Sequence, residues 1–144
     1  MTAIADGQRR LSYVSWYEEI GRVAGGLTAL GLRRGDRLAV ILQNRLEIAS
    51  LHWACQFAGI VVTPLNWRIK PDELDYFLAD ADAAAIVFDD VAADALAGAA
   101  SAQRVLRIAI GKIDGATCRF EDLQGGANGF ASRAGPEDLS LLLY

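Results

Sequence analysis

The sequence contains 144 residues, of which 53% are hydrophobic and 22% are charged, and its formal net charge is −4 at neutral pH. A chain of this length and composition can bury the core of one domain, which excludes a chain that is disordered throughout. The acidic balance, without any block of Lys or Arg, argues against nucleic acid or an anionic membrane as a partner.

The cysteines and the apolar segments indicate a cytoplasmic protein. Cys55 and Cys118 belong to no CxxC pair and have no metal-ligand spacing, which favours reduced thiols. Charges at Asp6 and Arg9 argue against a signal peptide. Residues 48–67 are uncharged over about the length of a membrane span, but polar and helix-breaking residues interrupt them. We therefore expect a helix and a buried strand there, and no transmembrane segment.

The N-terminal residues predict a hairpin followed by a helix. Asp6-Gly7 is a turn signal, across which residues 11–14 can pair back. Ser15 and Glu18 form a Ser-x-x-Glu pattern that predicts the N-cap of the first helix, and Gly31 is placed to end it in a left-handed conformation. Gly25-Gly26 lies inside this helix, where each glycine costs about 1 kcal/mol relative to Ala, so close packing against a neighbour is expected.

The rest of the chain alternates apolar runs with helical patterns. Buried strands are predicted at 38–42, 60–63 and 85–88, followed by a fourth strand at 105–110 and a last apolar run at 139–144. Helices are predicted from a cap at Asn44 with Glu47 to Ala58, stopped by Gly59, from Pro71 to Ala81, over 91–100, and as one turn at 120–123. Gly and small residues at about 124–135 predict a loop. This order predicts an α/β fold, a mostly parallel β-sheet with helices on both faces.

The sequence contains few candidates for catalysis. The GxGxxG, GxxxxGK[ST], GxSxG and HExxH patterns are all absent. His52 is the only histidine, and its apolar surroundings favour a core or groove position over an acid/base role. The carboxylates of Asp72, Glu73 and Asp75 suit the positive end of a helix dipole better than a metal site. No catalytic residue and no metal ligand is predicted.

Trp67 and Arg68 are the strongest candidates for ligand binding. They follow a predicted parallel strand at its carboxyl end, which is the edge where open α/β sheets bind ligands. An aromatic ring beside a guanidinium could stack on a base or hold a phosphate. Alternatively, Trp67 covers the end of the sheet while Arg68 pairs with a carboxylate such as Asp72 or Asp75.

Four collinear segments resemble one family of enzymes. Residues 11–13, Leu-Ser-Tyr before a helix, resemble its Leu-Thr-Tyr start, and residues 31–39 resemble its Gly-Val-x-x-Gly-Asp-Arg-Val-Ala turn and strand. Residues 58–68 match its Ala-Gly-x-Val-x-x-Pro-Leu-Asn-x-Arg pattern. Residues 136–144 resemble the strand that leads into its phosphate loop. The sequence is thus similar to the ATP-dependent, AMP-forming acyl-CoA synthetases of the adenylate-forming superfamily.

This resemblance implies that residues 1–144 are an incomplete N-terminal AMP-binding domain that ends just before the phosphate loop. The intact enzyme would activate a carboxylic acid, fatty or aromatic, with ATP and Mg²⁺ to an acyl-AMP, and then transfer the acyl group to CoA. Residues 1–144 alone would be inactive and would hold none of these ligands strongly. Arg68 matches a position that contacts the nucleotide phosphate of CoA in some relatives, with Trp67 beside it. Lys70 stands where relatives often place a helix-capping Thr.

Two other functions stay open at this point. The chain could come from an adenylation domain that loads a carrier protein, or it could be a non-catalytic binding or interaction module. In a synthetase or an adenylation domain the sheet would continue into further strands. We therefore expect an unpaired edge near residues 139–144, and self-association through it.

Overall fold

The computed structural model describes residues 1–124 and 131–144, so half of the loop predicted at about 124–135 lies outside the described residues. The strands are β1 (Thr2–Asp6), β2 (Arg9–Ser12), β3 (Arg37–Ile41), β4 (Val61–Pro64), β5 (Ala83–Phe88), β6 (Leu106–Ala109) and β7 (Cys118–Arg119). The α-helices are α1 (Tyr13–Ala29), α2 (Leu46–Ala58), α3 (Pro71–Asp80), α4 (Ala93–Gly98) and α5 (Phe120–Leu123).

The main sheet confirms the predicted α/β fold. Its five strands are all parallel and lie in the order β4-β3-β5-β6-β7, while β1 and β2 form a separate antiparallel hairpin. Side chains alternate between the two faces of each strand. Leu38 and Val40 therefore pack under α1, α2 and α5, whereas Ala39 and Ile41 pack under α3 and α4. The sheet is covered on both faces, as its continuous apolar strands predict.

The glycines of the first two helices behave as predicted. Gly31 has φ +100° and Gly59 has φ +72°, the left-handed conformation expected where α1 and α2 end. Close packing is present at Gly26, where an added Cβ would lie 2.7 Å from the carbonyl oxygen of Leu123 in α5. The missing side chain is what allows these two backbones to approach each other.

Helix α1 begins earlier than the sequence pattern predicts. Ser12, the last residue of β2, is the N-cap, and its hydroxyl accepts a hydrogen bond from the Ser15 backbone N–H at 3.2 Å. Ser15 already lies in the first turn, so the predicted capping box of Ser15 and Glu18 is wrong. Ser12 wins because its extended backbone, with φ −72° and ψ 165°, has the geometry that an N-cap needs.

The predicted cap of α2 is also wrong. The N-cap is Arg45, whose side chain makes no capping hydrogen bond, and Asn44 lies one residue before it. The backbone N–H of Leu46 instead donates to the carboxylate of Asp6 at 2.9 Å. Asp6 ends β1, so the N-terminal hairpin supplies the anion that the positive end of this helix favours.

The C-terminal segment meets the sheet at one point. Leu141 forms a single parallel bridge with Val62 of β4, and Val62 N–H donates to the Ser140 carbonyl at 3.2 Å. A strand over all of 139–144 is therefore wrong in extent, because the hydrogen bonds to β4 involve only residues 140–142 of this segment. At the end of the segment, Tyr144 donates to the Asp80 carboxylate at 2.6 Å, and this hydrogen bond raises the pKa of Tyr144 to about 12.

Self-association through this segment stays a prediction. Leu139, Leu143 and Tyr144 are 60%, 66% and 48% exposed, which places apolar surface on the segment that lies along the outer edge of β4. We expect residues 1–144 to associate as their concentration rises, and Leu139→Lys with Leu143→Lys to reduce that association. Sedimentation velocity at several concentrations measures it. A monodisperse monomer throughout, with a sharp thermal transition, would contradict the prediction.

Lys70 occupies the N-cap of α3 without capping it, since an ammonium group has no acceptor for a helix N–H. The Lys70 backbone has φ −90° and ψ 159°, which an N-cap Thr can adopt. We therefore expect Lys70→Thr to raise the free energy of unfolding by about 1 kcal/mol. Urea unfolding checks this, with Lys70→Ala as the control that cannot cap. Equal stability of the two variants would contradict the expectation.

Candidate functional site

The loop that follows β4 carries the two predicted binding residues to the carboxyl edge of the sheet. The Leu65 backbone N–H donates to the Val40 carbonyl at 2.9 Å and prolongs the ladder with β3. Asn66 then turns the chain, because its side-chain oxygen accepts from the Arg68 N–H at 3.0 Å and its carbonyl accepts from the Ile69 N–H at 3.0 Å. Ile69 is buried beneath the loop. This turn fixes the backbone from which Trp67 and Arg68 project.

Trp67 and Arg68 stack on each other at this edge. The guanidinium carbon of Arg68 lies 4.2 Å from the centre of the Trp67 ring, which is cation–π geometry. Trp67 is half-buried against the core on the α3 and α4 face, so it covers the end of the sheet. Arg68 is exposed, and within residues 1–124 and 131–144 it forms no ion pair.

The alternative in which Arg68 pairs with Asp72 or Asp75 is therefore wrong. Asp75 is engaged elsewhere, because its carboxylate accepts from the Ser101 backbone N–H at 2.6 Å. That hydrogen bond holds the pKa of Asp75 below its usual value. Among the described residues, no carboxylate forms an ion pair with the Arg68 guanidinium.

Arg68 lies between two cavities. One, of about 310 Å³, is closed on one side by the Trp67–Arg68 pair and Lys70 and on the other by α4, including Asp94. The other, of about 230 Å³, lies between the Asn66 turn, α3 and Tyr144. A guanidinium between two clefts can reach an anionic group of a ligand bound in either.

A chain of ionic contacts reaches the same edge from the other side of β3, and the sequence analysis missed it. Asp89 follows β5 and is only 3% exposed, with one carboxylate oxygen accepting from Arg45 at 3.4 Å. Arg45 also donates to Glu47 at 2.8 Å, and this hydrogen bond raises the pKa of Arg45. The position of Asp89 directly after a buried strand is the sequence signal that could have indicated this contact.

The contacts continue from Glu47 into the N-terminal hairpin. Arg9 of β2 lies 3.9 Å from Glu47 and pairs with Glu19 of α1 at 2.5 Å. Glu19 is buried and also accepts from Ser50 at 3.0 Å, and Ser50 accepts from the Trp16 ring N–H at 3.0 Å. Hydrogen bonds that satisfy both oxygens allow this carboxylate to be buried. The network fastens the hairpin to α1 and α2.

A separate apolar groove of about 540 Å³ lies on α1 and α2. Its lining is almost entirely aromatic or aliphatic: Tyr13, Val14, Trp16, Tyr17, Ile20, Trp53 and Phe57. His52 is half-buried next to it, with its ring centre 5.7 Å from that of Trp53. The packing of His52 agrees with the predicted groove position.

Neither cysteine has the environment of a nucleophile. Burial raises the pKa of Cys55 to about 12. Burial, and then the charge of Asp122, raise the pKa of Cys118. Both groups are free thiols, and the thiol form is a poor nucleophile at neutral pH.

In the described part of the chain, no group of three or more His, Cys, Asp or Glu residues lies close enough together to hold a metal ion. No helix there is long and apolar enough to cross a membrane.

Known proteins resemble this chain in sequence and in fold. A family model described as AMP-binding enzyme matches residues 1–144. The chain is 35% identical to a feruloyl-CoA synthase from Amycolatopsis sp over 143 residues, which are 99% of this chain and 27% of that protein. Apo MatB from Rhodopseudomonas palustris superposes with a TM-score of 0.77 at 33% identity, over 94% of this chain and 27% of that one.

A benzoate CoA ligase from Burkholderia xenovorans LB400 superposes with a TM-score of 0.85, over 100% of this chain and 29% of that one. At 21% identity this likeness is one of fold. The five-stranded parallel sheet with helices on both faces defines the class, an α/β domain. The chain belongs to the family of AMP-binding enzymes, as its resemblance to adenylate-forming enzymes implies. It spans about a quarter of the length of the feruloyl-CoA synthases that it matches over 99% of its own length.

Proposed function

We propose that the intact protein is an AMP-forming acid–CoA ligase. In the first step the carboxylate of the acid attacks the α-phosphate of ATP, forming an acyl-adenylate and releasing pyrophosphate. In the second step the thiol of CoA attacks the acyl carbon, forming the thioester and releasing AMP. The observation that supports this most is the 35% identity to a feruloyl-CoA synthase along 99% of the chain, together with the family match over residues 1–144.

We propose an aromatic acid as the first substrate to test, and a fatty acid as the second. The name of the feruloyl-CoA synthase supports the former. A less complete relative, at 30% identity over 55% of this chain, is a long-chain-fatty-acid–CoA ligase from Mycobacterium tuberculosis and supports the latter. The cytoplasm, where ATP and CoA are available, is the compartment that fits this activity.

Within this chain, Arg68 is the residue that we assign to CoA. Its guanidinium is exposed, free of carboxylates in the described residues and held over Trp67 at the carboxyl edge of the sheet. A planar guanidinium fits a phosphate through two parallel hydrogen bonds. Trp67 serves as the surface that orients it. Acyl-adenylate formation needs cations around the three phosphates of ATP, and the described residues supply no cluster of that size.

The magnesium ion that accompanies ATP in this family finds no set of ligands in the described residues. No step of the proposed reaction is therefore assigned to this ion.

Residues 1–144 by themselves are expected to release no pyrophosphate from ATP with any acid, and release above background would contradict this.

The proposal is tested on the full-length protein. Pyrophosphate release is measured with ferulate, benzoate and a long-chain fatty acid, followed by AMP release from the preformed adenylate with CoA as acceptor. We expect acid-dependent pyrophosphate release and CoA-dependent AMP release. Adenylate that is passed to a carrier protein but not to CoA would favour the adenylation-domain alternative, and absence of both steps would leave a non-catalytic module.

A further inference from the structure

Lys70 breaks a local rule of helix formation. The N-cap of α3 favours Ser, Thr, Asp or Asn, whose oxygen accepts from a backbone N–H of the first turn. An ammonium group only donates, so the side chain of Lys70 leaves those groups without a cap. The Glu73 carboxylate accepts a hydrogen bond from the Lys70 backbone N–H at 3.0 Å. This hydrogen bond uses the backbone only, so any residue except Pro at position 70 could form it. A residue that costs helix stability without local compensation points to a role outside the helix.

Lys70 shares a cavity with the Trp67–Arg68 pair. The cavity of about 310 Å³ is lined on this side by all three residues and on the opposite side by Asp94 and neighbouring residues of α4. Lys70 forms no ion pair within the described residues, Asp94 included. Two unpaired cations two positions apart therefore border one small volume, with a single carboxylate facing them.

We propose that Lys70 is a second cation for the terminal phosphate of the CoA nucleotide and lets the enzyme distinguish CoA from dephospho-CoA. This inference rests on the proposed function. A phosphate monoester carries about −1.5 to −2 charges at pH 7, whereas each phosphate in the diphosphate bridge of CoA carries one. Two neighbouring cations match the monoester. The Asp94 carboxylate on the same cavity would repel the phosphate and thereby limit its affinity.

The experiment uses the full-length enzyme and preformed acyl-adenylate, with kcat/KM measured separately for CoA and dephospho-CoA. We expect Lys70→Thr to lower kcat/KM for CoA by about 2- to 5-fold, as for an exposed charge pair. Its value for dephospho-CoA should stay unchanged. Because Thr can cap α3, a loss of stability cannot explain this result. Lys70→Arg should keep most of the discrimination, and Asp94→Asn should raise kcat/KM for CoA alone.

Lys112 is the only other lysine of the chain and is exposed, so Lys112→Thr is the matched control. It should leave kcat/KM unchanged for both CoA and dephospho-CoA. Equal effects of Lys70→Thr on CoA and dephospho-CoA would overturn the proposal, and so would no effect on either. Both outcomes still require that CoA is used, so they leave the proposed function standing. A wild-type enzyme that forms adenylate but transfers it to neither thiol would instead refute the ligase function.

Discussion

Arg68→Ala is expected to raise the KM for CoA while acyl-adenylate formation stays nearly intact. The guanidinium carbon lies 4.2 Å from the centre of the Trp67 ring, at the edge where open α/β sheets generally bind ligands. A charge-assisted hydrogen bond to phosphate is worth about 1.5–3 kcal/mol, which corresponds to about a 10- to 150-fold effect. Exposure to solvent reduces this toward a few-fold. The measurement separates pyrophosphate release with the acid from AMP release with CoA.

Two control variants make this prediction specific. Arg68→Lys keeps the positive charge but loses the planar fork, so its KM for CoA should lie between those of the wild type and the Ala variant. Arg10→Ala removes an exposed arginine from the N-terminal hairpin and should leave both steps unchanged. If Arg68→Ala harmed both steps equally and lowered the melting temperature, Arg68 would be a structural residue.

The interior of the fold follows closely from local sequence signals. Runs of apolar residues indicate strands covered on both faces, and β3 and β5 lie in such runs. The runs at β4 and β6 are shorter, because Thr63 and Arg107 interrupt them. Gly59 could be predicted as a helix end because a left-handed residue there needs no side chain. These signals depend on residues adjacent in the sequence, so a pattern of a few positions is enough to identify them.

The helix starts could not be predicted in the same way, because their partners are distant or compete. The backbone N–H of Leu46 is capped by Asp6, which lies 40 positions earlier in the chain. Nothing near Leu46 indicates this contact. At α1 two serines three residues apart could both cap, and the choice between them depended on where β2 ends at Ser12.

The candidate site divides along the same line. Trp67 and Arg68 could be located because the end of a parallel strand fixes the edge of the sheet, but their stacking and the shared cavity with Lys70 depend on the turn at Asn66. Arg45 and Asp89 meet across 44 positions of sequence. Contacts of that range arise from the order of the strands, since β5 lies next to β3, and the sequence pattern does not give that order.

Gly26→Ala is expected to destabilise the domain although Ala is the better helix former. Ala gains about 1 kcal/mol over Gly in a helix interior. Its Cβ would however lie 2.7 Å from the Leu123 carbonyl oxygen and 2.8 Å from the Leu123 Cα. Both are backbone atoms, so no change of rotamer relieves the contact, and α5 must move away from α1. Overpacking of this kind costs about 1–3 kcal/mol, which is enough to outweigh the gain in propensity.

Gly25→Ala is the matched control, since it makes the same substitution one position earlier in the same helix, at a site that is only half-buried. Both variants gain the same helix propensity, so the difference between their free energies of unfolding isolates the contact with Leu123. Urea unfolding of the two proteins measures that difference. We expect Gly26→Ala to be the less stable by about 1–3 kcal/mol. Equal stability would contradict the prediction, because it would mean that α5 can move away from Gly26 without a cost in free energy.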